Sequence, residues 1–127
     1  MSKRRAVIVD GNNVAYHLAP SGVPRVVNLV LALRSLRSAG YRPVIVVSAA
    51  LVHKVDKPNQ LREMIHDGHV LQTPRSQSDD LKIIKMAQDA NADIVSNDRF
   101  LNWLDRYPWV TSRLLRYRMT PSGLILT

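Results

Sequence analysis

Four aspartates lie at places where chain segments are predicted to meet. Asp10 and Asp98 each follow a short apolar run, while Asp79 and Asp80 open a helical pattern. Clustered carboxylates repel one another, so without a cation some of them would take up protons. Their hard oxygen ligands suit Mg²⁺ or Mn²⁺. Such an ion lowers the pKa of a bound water and neutralises charge on a phosphodiester under attack, and the pattern predicts that chemistry.

Short apolar runs rich in β-branched residues predict the strands that position these aspartates. The runs cover residues 6–9, 43–47 and 93–96, with a weaker one at 70–71. Continuous rather than alternating apolarity is typical of strands covered on both faces, as in a parallel sheet. Because helical patterns separate the runs, we predict one α/β domain over residues 1–127. Its expected architecture is a three-layer α/β/α sandwich around a mostly parallel sheet.

Apolar spacing and terminating residues indicate where the predicted helices begin and end. Apolar spacing predicts a helix over residues 26–36 that stops at Gly40, and a shorter one over 60–66. Another helix opens at Ser78 and ends near Asn91. A further short helix is predicted within 99–107. The tail, residues 114–126, is interpreted as a hairpin that turns at 120–123.

The predicted sheet gives the aspartates a common location. Open parallel sheets bind ligands beyond the carboxyl ends of their strands, and Asp10 and Asp98 follow two such ends. The helix that begins with Asp79 should start at the same edge. Each aspartate also has an ordinary structural role available, as a loop cap or a first-turn residue. Three acidic segments at one edge favour a site over these separate roles.

The net charge points to a polyanionic partner. Eighteen Lys and Arg residues against ten Asp and Glu give +8 and a pI near 10.5. Nucleic acid is the first expectation for so basic a domain, and an anionic membrane surface the second. No apolar stretch approaches the ~20 residues of a membrane span, and no signal-peptide core follows Arg5. We therefore expect a cytoplasmic protein with no membrane partner.

Several other kinds of site are disfavoured. The chain has no cysteine, which excludes disulfides, thiolate zinc sites and cysteine nucleophiles. The four histidines lack zinc-site spacing, since no two lie four apart on one helix. No glycine-rich phosphate loop and no serine in a nucleophile-elbow context is present. The acidic edge remains the strongest candidate site.

The sequence resembles the regnase-type ribonucleases, NYN-type members of the PIN superfamily. The similarity rests on VIVDGNNVA at 7–15, TPR at 73–75, DD at 79–80 with IIKMA at 83–87, IVSND at 94–98 and LLRYRM at 114–119. It covers nearly the whole chain. The resemblance implies a PIN-like fold and Mg²⁺- or Mn²⁺-dependent endonucleolytic cleavage of single-stranded RNA. It also permits a homodimer or a head-to-tail assembly.

Residue roles follow from the resemblance position by position. Asp10 and Asp98 are expected to contact the metal directly or through water. Asp79 and Asp80 would complete the ligand shell or orient the attacking water. Asn13 falls on the family's asparagine and would position Asp10 or a phosphate oxygen. One position departs from the pattern, because Asn102 stands where the family has a further aspartate, and an amide is a weaker ligand for a hard cation.

Basic residues in loops near the strand ends are the candidates for binding RNA. Family likeness and position put Arg75 first among them. Phosphate contacts would make binding salt-dependent and only weakly sequence-selective. The predicted RNA-binding set is Arg75, Arg99, Lys54, Lys57 and Arg42.

Two other function classes fit part of the sequence. A non-catalytic RNA-binding or scaffold module would keep the fold and lose efficient metal binding, and Asn102 motivates this alternative. A phosphatase or receiver-like domain would use Asp10 as the phosphorylated group. Haloacid-type phosphatases have a second aspartate at the place that Asn12 holds here, which disfavours this third interpretation.

Overall fold

The central sheet contains five parallel strands, in a computed structural model that describes residues 4–127. Its spatial order is β3-β2-β1-β4-β5, which places β1 in the middle. All four neighbouring pairs are parallel. The strands are β1 (Arg5–Asp10), β2 (Tyr41–Val47), β3 (Val70–Gln72), β4 (Asp93–Val95) and β5 (Leu114–Leu115). The predicted mostly parallel sheet is confirmed.

Helices cover both faces of the sheet. They are α1 (Gly11–Tyr16), α2 (Val26–Ser38), α3 (Pro58–His66), α4 (Asp79–Ala90) and α5 (Val110–Arg113). Side chains alternate across β1, so Val7 and Val9 join the core beneath α1, α2 and α3. Ile8 lies in the core beneath α4 and α5. The predicted three-layer sandwich is therefore confirmed.

Helix α4 begins and ends at the residues that the sequence indicated. The Ser78 hydroxyl caps its first turn by accepting a hydrogen bond from Leu81 N at 3.3 Å. Asn91 terminates it in the left-handed region, with φ 51°. Asp79 and Asp80 occupy the first turn, where the partial positive charge of the helix N-terminus favours carboxylates. This start positions both aspartates beside the sheet.

The C-terminal segment departs from the predicted single hairpin. Leu114 and Leu115 instead pair with β4 as the fifth strand of the central sheet. Ser96 N donates to Leu115 O at 3.1 Å, so the chain completes the sheet before it turns. The antiparallel hairpin is shorter, with strands β6 (Tyr117–Thr120) and β7 (Gly123–Leu126). It packs on α2, where Leu124 N donates to Ser35 Oγ at 2.9 Å.

The short helical segments also differ from the sequence prediction. The helix expected within 99–107 is a single 3-10 turn, Leu101–Trp103, which begins after the left-handed backbone of Phe100 with φ 56°. Helices α1 and α5 were not predicted. Gly and Asn open α1 and are poor helix formers, and α5 is too short to show periodicity. Within residues 4–127, no helix is long and apolar enough to cross a membrane.

Candidate active site

Asp10 is a buried carboxylate at the carboxyl end of the central strand. Its side chain is 4% exposed. Ser96 Oγ donates to Oδ2 at 2.8 Å, and Asn13 N donates to Oδ1 at 3.4 Å. Burial raises the pKa of Asp10 to about 7, against the lowering effect of these two hydrogen bonds. Carboxyl groups with a pKa raised this far occur most often at functional sites. Asp10 is therefore a candidate functional residue.

The other predicted aspartates lie around Asp10 at the same edge of the sheet. The charges of Asp80 and Asp79 add to the rise in the pKa of Asp10. The pKa of Asp80 is raised first by burial and then by the charges of Asp79 and Asp98. Asp80 is therefore close enough to each of the other three carboxylates for their charges to interact. Among residues 4–127, however, no three Asp, Glu, His or Cys side chains are grouped so as to hold a metal ion.

A hydrogen-bond network that the sequence did not reveal fixes Asn13. Its Oδ1 accepts from Tyr117 Oη at 2.6 Å and from Asn97 N at 3.0 Å. The Asn97 side chain is held in turn by the backbone of Tyr117, accepting from N at 3.1 Å and donating to O at 3.0 Å. Burial, aided by the charge of Asp10, raises the pKa of Tyr117, so its hydroxyl stays protonated and able to donate.

Ser96 and Tyr117 are the site residues that sequence reasoning missed. Ser96 lies two positions before Asp98 in the IVSND motif, at the end of the same predicted strand. The sequence could therefore have indicated Ser96 as a site residue. Its hydroxyl donates to Asp10 and accepts from Asp98 N at 3.0 Å, which ties the carboxylate of Asp10 to the backbone of Asp98. Tyr117 lies 104 positions from Asn13, and no local pattern joins them.

A cavity of about 480 Å³ opens beside the acidic edge, and we call it the acidic cavity. Asp80, Asp98, Arg99, Asn102 and Trp103 are among the residues that line it. Trp103 Nε1 donates to Asp80 Oδ2 at 3.4 Å and restrains that carboxylate. Asn102 thus reaches the cavity, where its amide offers an uncharged oxygen in place of a carboxylate.

The predicted RNA-binding residues divide by position. Arg99 lines the acidic cavity. Arg75 is exposed in the loop that leads from β3 to α4, and Lys54 and Lys57 are exposed between β2 and α3, beyond carboxyl ends of strands. Arg42 does not join them. Arg42 pairs with Ala6 near the amino end of β2. The site lies at the carboxyl ends of the parallel strands, so Arg42 is at the opposite edge of the sheet.

Comparisons with known proteins identify the family of the chain. A family model described as the Zc3h12a-like ribonuclease NYN domain matches residues 3–125. A comparison with curated proteins finds no match.

Two solved structures share the fold. A crystal structure of nuclear proteinaceous RNase P 2 (PRORP2) from A. thaliana is 22% identical with a TM-score of 0.76, covering 98% of this chain and 29% of that one. A second structure of Arabidopsis thaliana nuclear protein-only RNase P 2 is 20% identical with a TM-score of 0.72, covering 95% and 29%. The chain thus spans less than a third of either protein. By its match over residues 3–125, it belongs to the Zc3h12a-like ribonuclease NYN domain family.

Proposed function

We propose that this domain is a metal-dependent endoribonuclease that hydrolyses single-stranded RNA with the help of Mg²⁺ or Mn²⁺. Membership of a ribonuclease family supports RNA as the substrate class. The observation that carries the proposal is the buried carboxylate of Asp10, within electrostatic reach of Asp79 and Asp80. A buried aspartate with the half-buried Asp79 and Asp80 beside it, in a chain of net charge +8, suits a cation between carboxylates and an RNA backbone.

The chemistry of these side chains fits a hard divalent cation. All the ligand atoms on offer are carboxylate or amide oxygens, which Mg²⁺ and Mn²⁺ prefer. Each oxygen of Asp10 accepts one hydrogen bond from the protein, so lone pairs remain for a further ligand. Mg²⁺ usually keeps several waters and takes one or two protein carboxylates, so the set fits without three converging side chains.

Asp10 and Asp98 are the residues that we expect to hold the ion, with Asp79 and Asp80 contacting it directly or through water. When bound, the ion would lower the pKa of a water ligand and neutralise charge on the scissile phosphate. Side chains and backbone groups of the protein would perform the remaining steps. Ser96 and the backbone of Asn13 fix both oxygens of Asp10, which keeps its geometry constant through the reaction.

Proton transfer falls to the carboxylates of α4 in this proposal. Asp80 lines the acidic cavity, and its carboxylate would accept the water proton. Water would add to phosphorus, its proton passing to Asp80. The bridging ester oxygen would leave and take a proton from solvent. Trp103 holds Asp80 in place for that role, and Asp79 would orient the water.

RNA would be drawn in by the basic residues on the same edge. Arg99 lines the acidic cavity, and Arg75, Lys54 and Lys57 lie in exposed loops beyond the strand ends. Arg42, at the opposite edge, has no part in the proposal. A single strand can bend its backbone toward a recessed carboxylate, whereas a duplex is too stiff to do so.

Cleavage of a labelled RNA tests this proposal. We expect wild-type protein to cut a single-stranded RNA in Mn²⁺ or Mg²⁺, to stop in EDTA, and to resume when metal is restored. The same RNA annealed to its complement should be cut far more slowly. Cleavage that persists in EDTA, or no cleavage with any divalent cation, would contradict the proposal.

A second candidate function is an RNA-binding module without catalysis. It is favoured by the amide of Asn102 in the acidic cavity, where a carboxylate would bind a cation more strongly. Calorimetric titration with Mn²⁺ separates the two functions. Binding that is lost with Asp10→Asn supports the ribonuclease, while the absence of metal binding together with retained RNA binding supports the module.

Removing the hydroxyl of Tyr117 tests the network around Asn13. Tyr117→Phe leaves Asn13 Oδ1 with one of its two donors. We expect kcat for RNA cleavage to fall about tenfold, because Asn13 would lose one of the two hydrogen bonds that hold it in position beside Asp10. The free energy of unfolding should fall by only about 1 kcal/mol.

Tyr41→Phe is the matched control, because the same hydroxyl is removed from a tyrosine at the opposite end of the sheet. It should leave kcat unchanged. A wild-type rate for Tyr117→Phe would show that the position of Asn13 does not matter for catalysis.

A further inference from the structure

A second cavity lies against the acidic cavity and has the opposite electrostatic character. Its volume is about 440 Å³. Two arginines, three leucines and a threonine line it, and none of these side chains is acidic. We call it the basic–apolar groove, and its lining residues are Arg99, Leu101, Leu104, Thr111, Leu114 and Arg116.

The two cavities share a wall. Arg99 and Leu101 line both of them. Arg99 directly follows Asp98, one of the four site aspartates. On the far side, Arg116 Nε donates to Asn97 Oδ1 at 3.4 Å, and Asn97 also lines the acidic cavity. A polymer whose backbone enters the acidic cavity would therefore meet the groove as its next binding surface.

The lining selects a ligand with both charged and apolar parts. Guanidinium groups bind phosphate oxygens with bidentate hydrogen bonds. Leucine side chains offer a flat apolar surface, and Leu101 is 67% exposed at the shared wall. A nucleotide carries an anionic phosphate next to a base whose faces are apolar. A metabolite that is purely anionic would leave the leucines unused, and a purely apolar one would leave the arginines unpaired.

We propose that the basic–apolar groove binds the nucleotide adjacent to the scissile phosphate, a role that rests on the proposed ribonuclease activity. The base would lie against Leu101, Leu104 and Leu114. The phosphate that follows it would lie between Arg99 and Arg116. Leucine makes no hydrogen bonds to base edges, so this subsite holds any base and adds affinity rather than sequence selectivity.

Equilibrium binding of a short RNA in EDTA tests the groove without cleavage. The probe is a fluorescently labelled single-stranded RNA pentanucleotide, followed by anisotropy. We expect Leu101→Ala to raise Kd about fivefold with an unchanged salt dependence, because the variant buries less apolar surface against the base. Arg116→Gln should also raise Kd about fivefold and reduce the slope of log K against log salt by about one, because one phosphate contact is lost.

Matched controls come from the outer face of the hairpin. Arg118 and Ile125 are cross-strand partners, and both are exposed. Arg118→Gln removes the same charge as Arg116→Gln, and Ile125→Ala truncates an exposed aliphatic side chain as Leu101→Ala does. Both controls should bind the probe like wild type. Leu101→Ala is the deciding variant, because Arg116 also contacts Asn97.

A second probe removes the base instead of the side chain. A pentanucleotide with abasic positions should bind wild type more weakly than the intact RNA, and this difference should shrink in Leu101→Ala. Wild-type affinity in Leu101→Ala, with an equal abasic penalty in both proteins, would overturn the groove.

The two proposals fail in different ways. RNA cleavage by wild type together with unchanged affinity in Leu101→Ala would refute the groove and leave the ribonuclease intact. Loss of affinity in Leu101→Ala with no cleavage under any metal would refute the ribonuclease and leave a nucleotide-binding groove.

Discussion

Asp10→Asn is expected to reduce RNA cleavage about a thousandfold while leaving the domain folded and, at pH 8, more stable than wild type. The substitution keeps the shape of the side chain and removes its charge. A neutral amide at this position would hold a divalent cation poorly, and the loss of several kcal/mol of electrostatic stabilisation corresponds to a factor of this size. Cleavage of labelled RNA in Mn²⁺ measures the first effect, and urea unfolding measures the second.

The expected gain in stability follows from the pKa of Asp10. Burial raises that pKa from 3.8 to about 7, so the folded state binds more protons than the unfolded state between these two values. The free energy of unfolding therefore falls as pH rises through this window. At pH 8 the buried charge costs about 4 kcal/mol, part of which is offset in the variant because an amide can accept only one of the two hydrogen bonds from Ser96 Oγ and Asn13 N.

The pH dependence separates this mechanism from a general effect of the mutation. In EDTA, the advantage of Asp10→Asn over wild type should be about 3 kcal/mol smaller at pH 5 than at pH 8, since Asp10 is already protonated in the folded protein at pH 5. Asp67→Asn, which neutralises an exposed aspartate after α3, is the control for charge alone. It should change neither the cleavage rate nor the pH profile. Full activity in Asp10→Asn would remove the basis of the proposed function.

Gly11→Ala is expected to destabilise the domain by about 3 kcal/mol. An ideal Cβ at this position would lie 2.6 Å from Val47 Cγ1 and 2.7 Å from the backbone oxygen of Val46. A backbone carbonyl in the middle of a sheet cannot rotate away, so α1 would have to move off β2. Overpacking of this kind usually costs about 1–3 kcal/mol, and the backbone contact places Gly11 at the upper end. Urea denaturation with an unchanged m-value measures the effect.

The same displacement should reduce activity, because Gly11 directly follows Asp10 and α1 carries Asn13. Gly22→Ala is the matched control. Its Cβ would meet no atom within 4 Å, and its φ of +74° adds only the strain of a left-handed backbone, about 1 kcal/mol. Equal destabilisation by the two substitutions would mean that the close approach of α1 to β2 is not what requires glycine at position 11.

The sequence predicted the sheet and its acidic edge through a single physical rule. Continuous apolar runs indicate strands that are covered on both faces, and parallel strands bring their carboxyl ends to one edge. Asp10 and Asp98 follow two such ends, so the sequence alone predicts that they lie at one edge. Strand direction also explains why Arg42 lies far from these aspartates. Arg42 comes before the apolar run of β2, whereas Asp10 and Asp98 come after the runs of their strands.

Contacts between segments far apart in the chain could not be predicted from the sequence. Strand β5 has two residues, too few for any periodic pattern, and only its pairing with β4 defines it. Tyr117 looks like an ordinary strand residue until the fold brings its hydroxyl within 2.6 Å of Asn13 Oδ1. The need for glycine at position 11 depends equally on β2, which lies about 35 residues further along the chain. In each case the deciding neighbour is set by tertiary packing.

Crystals of the wild-type domain soaked in Mn²⁺ would show whether the four aspartates hold a metal ion. We expect an anomalous scattering peak at the carboxyl edge of the sheet, within coordinating distance of Asp10 and joined to Asp98 or to the two aspartates of α4 directly or through water. The peak should disappear in crystals of Asp10→Asn treated in the same way. A fully soaked wild-type crystal with no peak near any of the four aspartates would contradict a metal-dependent site.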